Sequence, residues 1–410
     1  MMIDVGRLNV ARCPPSGGRR FTDSCTATGG TDDEAHADDP LPGTATMTAA
    51  VVTTSESLPR DLPSLTSLRA GAALAVFVFH LGLFGVVSIP GATMGYTGVS
   101  FFFVLSGFVL TWSLQPGTST RQFYRRRFAR VYPSHLVVLV IVLAVQLAIA
   151  APSLTPTVFL ANLLLVQGWF ADPAVVFGMN GPAWSLSCEA VFYLCFPLLV
   201  RGLTPLRPAL RWAIPATWLT VVAVLASQSV WLGGFTFHFP LARMGEFVLG
   251  VVAALAIRDG WRPRWRLWVV IVVTVVVAAV LALLNLNQGV TDGVMAVPFG
   301  IAVVAAVMGD VRRRTRALGH RAFVYAGKIS FAFYLVHELV IRVVVWADLR
   351  GAAVAVLALG VAMVLAIGLH HLVERPAQRR LSSPPARRSS SSARRTSPRR
   401  RGLPVEDRAR

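Results

Sequence analysis

Long apolar stretches recur along this chain, and they restrict its fold more than any other feature. Eleven of them lie between residues 67 and 372, and 54% of the 410 residues are hydrophobic whereas only 14% are charged. A soluble domain carries about 25% charged residues, and a helix crosses a hydrocarbon layer of about 30 Å with about 20 apolar residues. The chain is therefore predicted to be all-α, a polytopic transmembrane helical bundle. The apolar stretches are 67–87, 97–115, 134–151, 156–170, 186–200, 212–228, 236–257, 267–286, 293–309, 322–346 and 351–372.

Arginine-rich segments between these stretches indicate how often the chain crosses the membrane. They lie at 121–130, 201–211, 258–266, 312–321 and in the C-terminal tail. Such segments remain in the cytoplasm, and two apolar stretches separate each successive pair, except that three lie between residues 130 and 201. The shortest of those three, 156–170, carries Asn162 and Gln167 and is predicted to be interfacial or re-entrant. This leaves about ten spans in the cell membrane, with both termini cytoplasmic.

The two ends of the chain differ in composition from the membrane domain of residues 62–376. Residues 1–61 contain no sustained apolar run, which predicts a disordered extension without a secretory signal; a start at Met47 would shorten it. Residues 377–410 are rich in Ser, Pro and Arg and are predicted to form a disordered cytoplasmic tail. Because much of the net charge of +19 lies in this tail and in 121–130, the expected partner is anionic membrane lipid and not nucleic acid.

Arg69 and His80 are two of the few ionisable residues inside the apolar stretches, where such groups are costly and often functional. They are three helical turns apart, about 16 Å along the axis, and point along the same face of one helix. A neutral imidazole is suited to removing a proton from a hydroxyl near neutral pH. The alternatives are that Arg69 anchors the helix at the cytoplasmic boundary and that His80 bonds to a neighbouring helix.

The loop predicted at 121–130 contains more arginine than membrane orientation requires. Arg127 and Arg130 are three positions apart, so a helical turn can present both guanidinium groups to one polyphosphate, with Arg126 beside them. A solvated basic loop without a ligand is the alternative.

Two further segments place polar groups at the predicted depth of His80. Glu189 lies about one turn inside the span that follows Trp184, and His337 lies in the outer half of the ninth span. Arg243 and Glu246 are expected to form a salt bridge three residues apart. Because the sequence has no metal-ligand spacing, no metal site is predicted. Whether these groups converge laterally does not follow from the sequence.

The motifs, in their order, resemble those of the acyltransferase 3 family of multi-pass membrane acyltransferases. Matching motifs are Arg69-x10-His80, Arg127-x-x-Arg130 before Tyr132-Pro133, Trp184-Ser185-Leu186 through Glu189 to Phe192-Tyr193, and Ile329-Ser330 through Tyr334-Leu335 to His337. The resemblance covers roughly residues 62–376, which would make this region a transmembrane acyltransferase domain.

The resemblance implies an O-acyltransferase that moves an acyl group, commonly acetyl, from acyl-CoA to a hydroxyl of a glycan or another small acceptor. Acyl-CoA would be a co-substrate, with no cofactor bound permanently. We expect His80 to act as general base, with Arg69 and Glu189 as its catalytic helpers. The expected donor-binding residues are Arg126, Arg127 and Arg130, and the expected acceptor-binding residues are Trp184, Tyr193, Tyr334 and His337.

A secondary transporter or flippase is the rival interpretation, in which the same His, Arg and Glu side chains form a substrate or proton path. That class predicts inverted repeats with broken helices in corresponding halves, and no internal repeat is evident in the sequence. The sequence leaves open the acceptor, the length of the acyl group, and the choice between direct transfer and an acyl-histidine intermediate.

Overall fold

The computed structural model describes residues 59, 61–115, 117, 119–148 and 154–382, and all regular secondary structure in these residues is helical. Most of the predicted N-terminal extension and the predicted tail beyond Ser382 lie outside the described residues. The α-helices are α1 (Pro63–Leu83), α2 (Gly98–Trp112), α3 (Thr120–Ala148), α4 (Pro156–Leu163), α5 (Pro173–Phe177), α6 (Trp184–Leu203), α7 (Pro208–Ser227), α8 (Val230–His238), α9 (Pro240–Arg258), α10 (Leu267–Leu284), α11 (Gln288–Val311), α12 (Arg321–Trp346), α13 (Ala352–Leu369) and α14 (Arg375–Ser382).

Ten helical segments of the described chain are long and apolar enough to span a bilayer, which confirms the predicted bundle. Eight of the spans are formed by α1, α3, α6, α7, α9, α10, α11 and α12, with a 3₁₀ turn preceding α6. The second combines a 3₁₀ turn, Ala92–Thr97, with α2. The last combines α13 and α14 through a π-helical turn, His370–Glu374. The domain boundary predicted at residue 376 therefore falls inside a helix that continues to Ser382.

The arginine-rich segment 121–130 is helical, which corrects its assignment as a loop. Helix α3 begins at Thr120 and passes through the whole segment, burying Phe123 and Ala129. Arginine is a good helix former, so charge alone did not indicate a break in the helix. As a result, Arg127 and Arg130 lie on one turn of a long helix.

The sixth predicted span, 236–257, is divided at its start. His238 ends α8, and Pro240 begins α9 after an extended Phe239. Proline favours the first helical turn and disfavours helical geometry at the preceding residue, so the chain turns at this point. His238 consequently lies outside the spans.

Residues 156–170 do not span the bundle, as predicted. Helix α4 has eight residues, about 12 Å of rise, and the chain then turns through a short 3₁₀ element and α5. Two buried amides hold this segment in place. Asn162 donates to the carbonyls of Val158 and Val175, and Gln167 donates to the carbonyl of Ala183 at 2.8 Å.

Connections between the spans meet at two ends of the bundle. At one end, Arg211 pairs with Asp259, and Ser64 Oγ donates to Asp310. At the other, Gly351 donates its N–H to the Val86 carbonyl. Ten alternating spans place all four described arginine-rich segments at the first end, called here the arginine end.

Helices α2 and α9 cross closely at the centre of the bundle. A Cβ atom on Gly107 would collide with the backbone of Phe247, and one on Gly250 would collide with the backbone of Val104. Small residues allow such close approach between membrane helices. The α9 span is 83% buried whereas the α10 span is 11% buried, so α9 is central and α10 is peripheral.

Candidate functional site

A cavity of about 530 Å³ lies at the end of the bundle opposite the arginine end. His80, in the last turn of α1, lies on its wall, and we call it the histidine cavity. Aromatic rings dominate the lining, with a few polar groups among them. The aromatic side chains of the lining include Phe79, Phe84, Tyr96, Trp184, Phe235 and Phe237.

His80 has polar neighbours at both ring nitrogens. Its Nδ1 is 2.8 Å from the carbonyl oxygen of Val76 and 3.3 Å from Nε2 of His337. Its Nε2 is 3.4 Å from Oε2 of Glu338. His337 is fully buried, and its Nδ1 is 2.8 Å from the Tyr334 carbonyl. Helices α1 and α12 thus bring two imidazoles and a carboxylate into contact.

Glu338 is the carboxylate beside His80, whereas the sequence had suggested Glu189. Arg342 donates from Nε to Oε1 of Glu338 at 2.6 Å, which leaves Oε2 facing the histidine. Gly181 makes room for this group, because a Cβ atom at that position would overlap the carboxylate. The expectation that Glu189 supports His80 directly is therefore not met.

Glu189 instead lines a second cavity, of about 100 Å³, together with Arg69, Arg127, Arg130 and Tyr193. The Tyr193 hydroxyl donates to Glu189 Oε2 at 2.6 Å. The Nε atoms of Arg69 and Arg127 are buried without a hydrogen-bond partner. We call this space the arginine cavity. It has two guanidinium groups with donors to spare and one carboxylate that partly balances them.

Arg130 is less available to bind a phosphate group than the sequence predicts. It pairs with Glu374, which is fully buried and also lies 2.9 Å from Nδ1 of His370. Arg126 is not among the residues that line the arginine cavity. Of the three predicted donor-binding residues, Arg127 alone both lines the cavity and retains an unpaired buried N–H. Arg69, predicted as a helper of His80, shares that property and lies beside Arg127.

The two cavities are arranged along the same helices. Helices α1, α2, α6 and α12 contribute to both. Phe102 lines the arginine cavity and Tyr334 lines the histidine cavity, and their rings meet edge to face with centroids 6.0 Å apart. The Tyr334 hydroxyl donates to the Pro182 carbonyl at 3.0 Å. These two rings in contact therefore separate the cavities at this point.

The predicted acceptor-binding residues divide between these cavities. Trp184 and Tyr334 line the histidine cavity, and Tyr193 lines the arginine cavity. His337 contacts His80 from behind the wall. His238, for which no catalytic or binding role is predicted from the sequence, lies on the wall of the histidine cavity, and its Nδ1 is 3.3 Å from the Gly168 carbonyl oxygen. Burial lowers the pKa of its imidazole.

A buried ion cluster lies behind the aromatic wall. Arg243 pairs with Glu246 at 3.1 Å, as predicted, and also with Asp292 of α11. Its guanidinium group lies 5.8 Å from the Trp184 ring centroid. Asp292 is absent from the sequence-predicted candidates because the predicted span begins at residue 293. The N-cap Asn287, which accepts from the N–H of Val290, is the signal that would have placed Asp292 inside the helix.

Glu374 was missed for a similar reason, since it lies two residues beyond the last predicted apolar stretch, which ends at residue 372. Among the described residues, no group of three or more His, Cys, Asp or Glu side chains is arranged to hold a metal ion.

Comparison with known proteins gives several matches. A family model described as an acyltransferase domain, of the acyltransferase 3 type, matches residues 62–371. Acyltransferase MdmB of Streptomyces mycarofaciens is 36% identical over 373 residues, covering 78% of this chain and 92% of the relative. The peptidoglycan O-acetyltransferase OatA of Listeria monocytogenes is 30% identical over 189 residues, 40% of this chain and 29% of that protein. O-acetyltransferase OatA of Staphylococcus aureus is 32% identical over 162 residues, 35% of this chain and 26% of that protein.

No solved structure matches the chain. The family match extends from the start of α1 to the turn after α13 and therefore contains both cavities. The MdmB match covers most of both proteins, and the ten apolar helices make this a multi-pass membrane protein. The chain belongs to the acyltransferase 3 family and is an O-acyltransferase.

Proposed function

We propose that this protein transfers an acyl group from acyl-CoA to a hydroxyl of a carbohydrate or another small acceptor at His80. The observation that carries the proposal is the pair of cavities on the same four helices. One has guanidinium groups that suit phosphate, and the other has an imidazole among aromatic rings. Acetyl is the expected acyl group, because the OatA relatives are named O-acetyltransferases.

The arginine cavity is the proposed contact for the CoA phosphates. Arg69 and Arg127 each have a free buried Nε–H, and phosphate oxygens are strong acceptors for guanidinium groups. A volume of about 100 Å³ equals about three water molecules of about 30 Å³ each, so it admits one phosphate-sized group. The nucleotide would then lie outside the cavity at the arginine end, and Arg69 would orient the donor.

The thioester arm would pass from the arginine cavity to His80 between Phe102 and Tyr334. Arg69 and His80 are about 16 Å apart along α1, and these two rings are the contact between the cavities. For passage the rings must separate. Tyr334 is held by hydrogen bonds to Ser185 and the Pro182 carbonyl, so opening requires those bonds to exchange.

His80 would act as the general base in a direct transfer. It takes the proton from the acceptor hydroxyl as the oxygen attacks the thioester carbonyl carbon. The new C–O bond forms, the C–S bond breaks, and the imidazolium returns its proton to the departing CoA thiolate. An acyl-histidine is not needed in this sequence of steps, because donor and acceptor would meet at the same imidazole.

The aromatic lining of the histidine cavity supports a carbohydrate acceptor. Rings such as Trp184, Tyr96 and Phe237 offer flat apolar faces to the C–H faces of a sugar, while Arg342 and His238 offer polar contacts. The name of the Listeria relative gives peptidoglycan as its substrate. In our proposal the arginine end and both termini face the cytoplasm, where acyl-CoA is available.

Acceptor-dependent release of CoA by the purified protein in lipid nanodiscs tests the proposal. Acetyl-CoA is supplied with peptidoglycan fragments or simple glycosides, and free thiol and acetylated product are both measured. His80→Ala should lower product formation by about 10²–10⁴-fold, the usual contribution of a general base. His320→Ala is the matched control, because His320 is exposed at the start of α12.

Arg127→Gln tests the donor site in the same assay. Loss of a charge-assisted hydrogen bond of about 1.5–3 kcal/mol should raise the KM for acetyl-CoA by about tenfold or more and leave the KM for the acceptor unchanged. Arg316→Gln, at an exposed arginine of the same end, should change neither. Full activity of His80→Ala would remove His80 from the mechanism, and an unchanged KM in Arg127→Gln would move the donor site elsewhere.

A further inference from the structure

We propose that His337 and Glu338 are positioning residues for His80. His337 and the Val76 carbonyl hold the proton of neutral His80 on Nδ1. Glu338 stabilises the imidazolium that forms when Nε2 takes the proton from the hydroxyl of the acceptor substrate. The inference rests on the proposed function, because it assigns His80 the role of base. It adds two residues of α12 to the mechanism. His337 lies at Nδ1 of His80, and Glu338 lies at Nε2, the nitrogen that receives the proton.

Hydrogen-bond partners fix the position of the proton on both imidazoles. Nδ1 of His337 is 2.8 Å from the Tyr334 carbonyl oxygen, which can only accept, so His337 has its proton on Nδ1 and a lone pair on Nε2. Nδ1 of His80 faces two acceptors, the Val76 carbonyl at 2.8 Å and that lone pair at 3.3 Å. His80 therefore also has its proton on Nδ1, and its Nε2 is free to act as base.

Glu338 faces the nitrogen that receives the proton. Its Oε2 is 3.4 Å from Nε2 of His80, and a carboxylate cannot donate to that lone pair. The two atoms become a charge-assisted pair only when Nε2 has gained a proton. The interaction is thus stronger in the transition state than in the resting enzyme, which is the condition for accelerating the chemical step.

The surroundings of Glu338 keep this carboxylate in place. Arg342 donates to Oε1 from Nε and lies with Nη2 2.6 Å from the same oxygen, so it orients the group and balances its charge at rest. Gly181 packs directly on the carboxylate. Its neighbour Asn180 donates at 3.0 Å to the carbonyl of Leu335, which lies on α12 like Glu338. The turn that precedes α6 therefore packs closely around the carboxylate.

Glu338→Gln is the direct test, because glutamine keeps the size and the acceptor for Arg342 but removes the charge. We expect kcat to fall by about 10²-fold, as when one preorganised group is removed, while the KM values for donor and acceptor stay within about twofold. Glu246→Gln is the matched control. It is also 2% exposed and pairs with an arginine, so it should lower the thermal stability without lowering kcat.

His337→Phe and His337→Gln separate positioning from packing. Phenylalanine preserves the stacking on Phe333 but offers no acceptor, whereas glutamine offers an oxygen acceptor. We expect kcat to fall in His337→Phe by less than the roughly 10²–10⁴-fold lost with the general base itself. It should be partly restored in His337→Gln, with unchanged KM in both. If His337 served only to pack the fold, the activity of both variants would fall together, and so would the amount of folded protein in the membrane.

Nitrogen-15 NMR of the histidine-labelled wild type tests the proton position without any substitution in the site. The His80 signal, assigned by its loss in His80→Gln, should show the Nδ1–H form. An Nε2–H form would overturn the proposal, as would full kcat in Glu338→Gln. If His80→Ala is inactive and Glu338→Gln is fully active, the proposed function stands and this inference fails. If His80→Ala is active, the proposed function fails first.

Discussion

At the scale of single residues, buried carboxylates in the described part of the chain are paired with basic side chains of the same helix or of a neighbouring one. Arg243 contacts Glu246 and Asp292, Arg130 contacts Glu374, and Glu338 lies between Arg342 and His80. An unpaired charge inside a membrane protein is costly, so each pair lowers the free-energy cost of burying its two side chains. The Nε–H of Arg243 also has no partner, but its other guanidinium nitrogens are paired with carboxylates. Arg69 and Arg127 have unpartnered Nε–H groups too, and within the described residues neither forms an ion pair with a carboxylate. That difference is the physical basis for assigning Arg69 and Arg127 to a ligand.

Removing Arg243 should destabilise the bundle strongly. Arg243→Met leaves two carboxylates, Glu246 and Asp292, buried beside each other without a cation, and breaking a buried pair costs about 3–5 kcal/mol. Thermal unfolding in detergent, followed by circular dichroism, measures the change. Arg350→Met is the comparison, because Arg350 and Asp348 are an exposed pair worth less than about 1 kcal/mol. Equal stability of the two variants would show that the Arg243 cluster is not structural.

At the scale of helices, the central contact depends on glycine. Helices α2 and α9 approach so closely at Gly107 and Gly250 that a methyl group would strike the opposite backbone. This contact carries Tyr96 and Val99, at the start of the second span, into the wall of the histidine cavity. The position of part of the cavity wall therefore depends on how closely α2 and α9 cross.

Gly250→Ala should therefore disturb both folding and activity. Overpacking costs about 1–3 kcal/mol, since the backbone of Val104 cannot move away as a flexible side chain would. Gly360→Ala on α13 is the matched control, because open space surrounds Gly360 and alanine is better than glycine in a helix by about 0.5–1 kcal/mol. Thermal unfolding should show opposite signs for the two variants. A stabilised Gly250→Ala would contradict the close crossing.

At the scale of the whole molecule, the arginine-rich segments gather at one end and the histidine cavity opens near the other. Arg312 donates to the Pro263 carbonyl, and Arg258 donates to the Trp112 carbonyl, so the connections at the arginine end are bound to one another. Positively charged connections favour the cytoplasmic side. With that orientation, the proposed donor site would face the cytoplasm and the proposed acceptor site would open toward the exterior.

Cysteine labelling in intact cells tests that orientation. Arg264→Cys places a thiol in the exposed connection between α9 and α10, and Arg350→Cys places one between α12 and α13. A membrane-impermeant maleimide should label Arg350→Cys above the wild-type background and should label Arg264→Cys only after permeabilisation. The opposite pattern would place the termini and the arginine cavity outside, and would exclude a cytoplasmic donor at that cavity.

Hydropathy and charge parity in the sequence were enough to determine ten spans, the short non-spanning segment at 156–170, and the positions of Arg69 and His80 on one face of α1. These properties depend on residues close together in the chain, since a span is a local sum of apolar residues and a helical face follows from a fixed pitch. For the same reason, the four family motifs could be recognised from their order alone.

Only the tertiary structure decided which charged groups meet. The sequence placed Glu189 and His80 at similar depth, yet Glu189 faces Arg69 and Arg127, and Glu338 faces His80. The sequence predicts that Arg130 binds a phosphate, yet in the structure Glu374 already pairs with its guanidinium group. Depth follows from counting residues along each span, whereas lateral neighbours depend on how each helix is rotated and how closely it crosses the next. Glycines such as Gly181 and Gly250 control those contacts between residues far apart in the chain, so no local pattern in the sequence could report them.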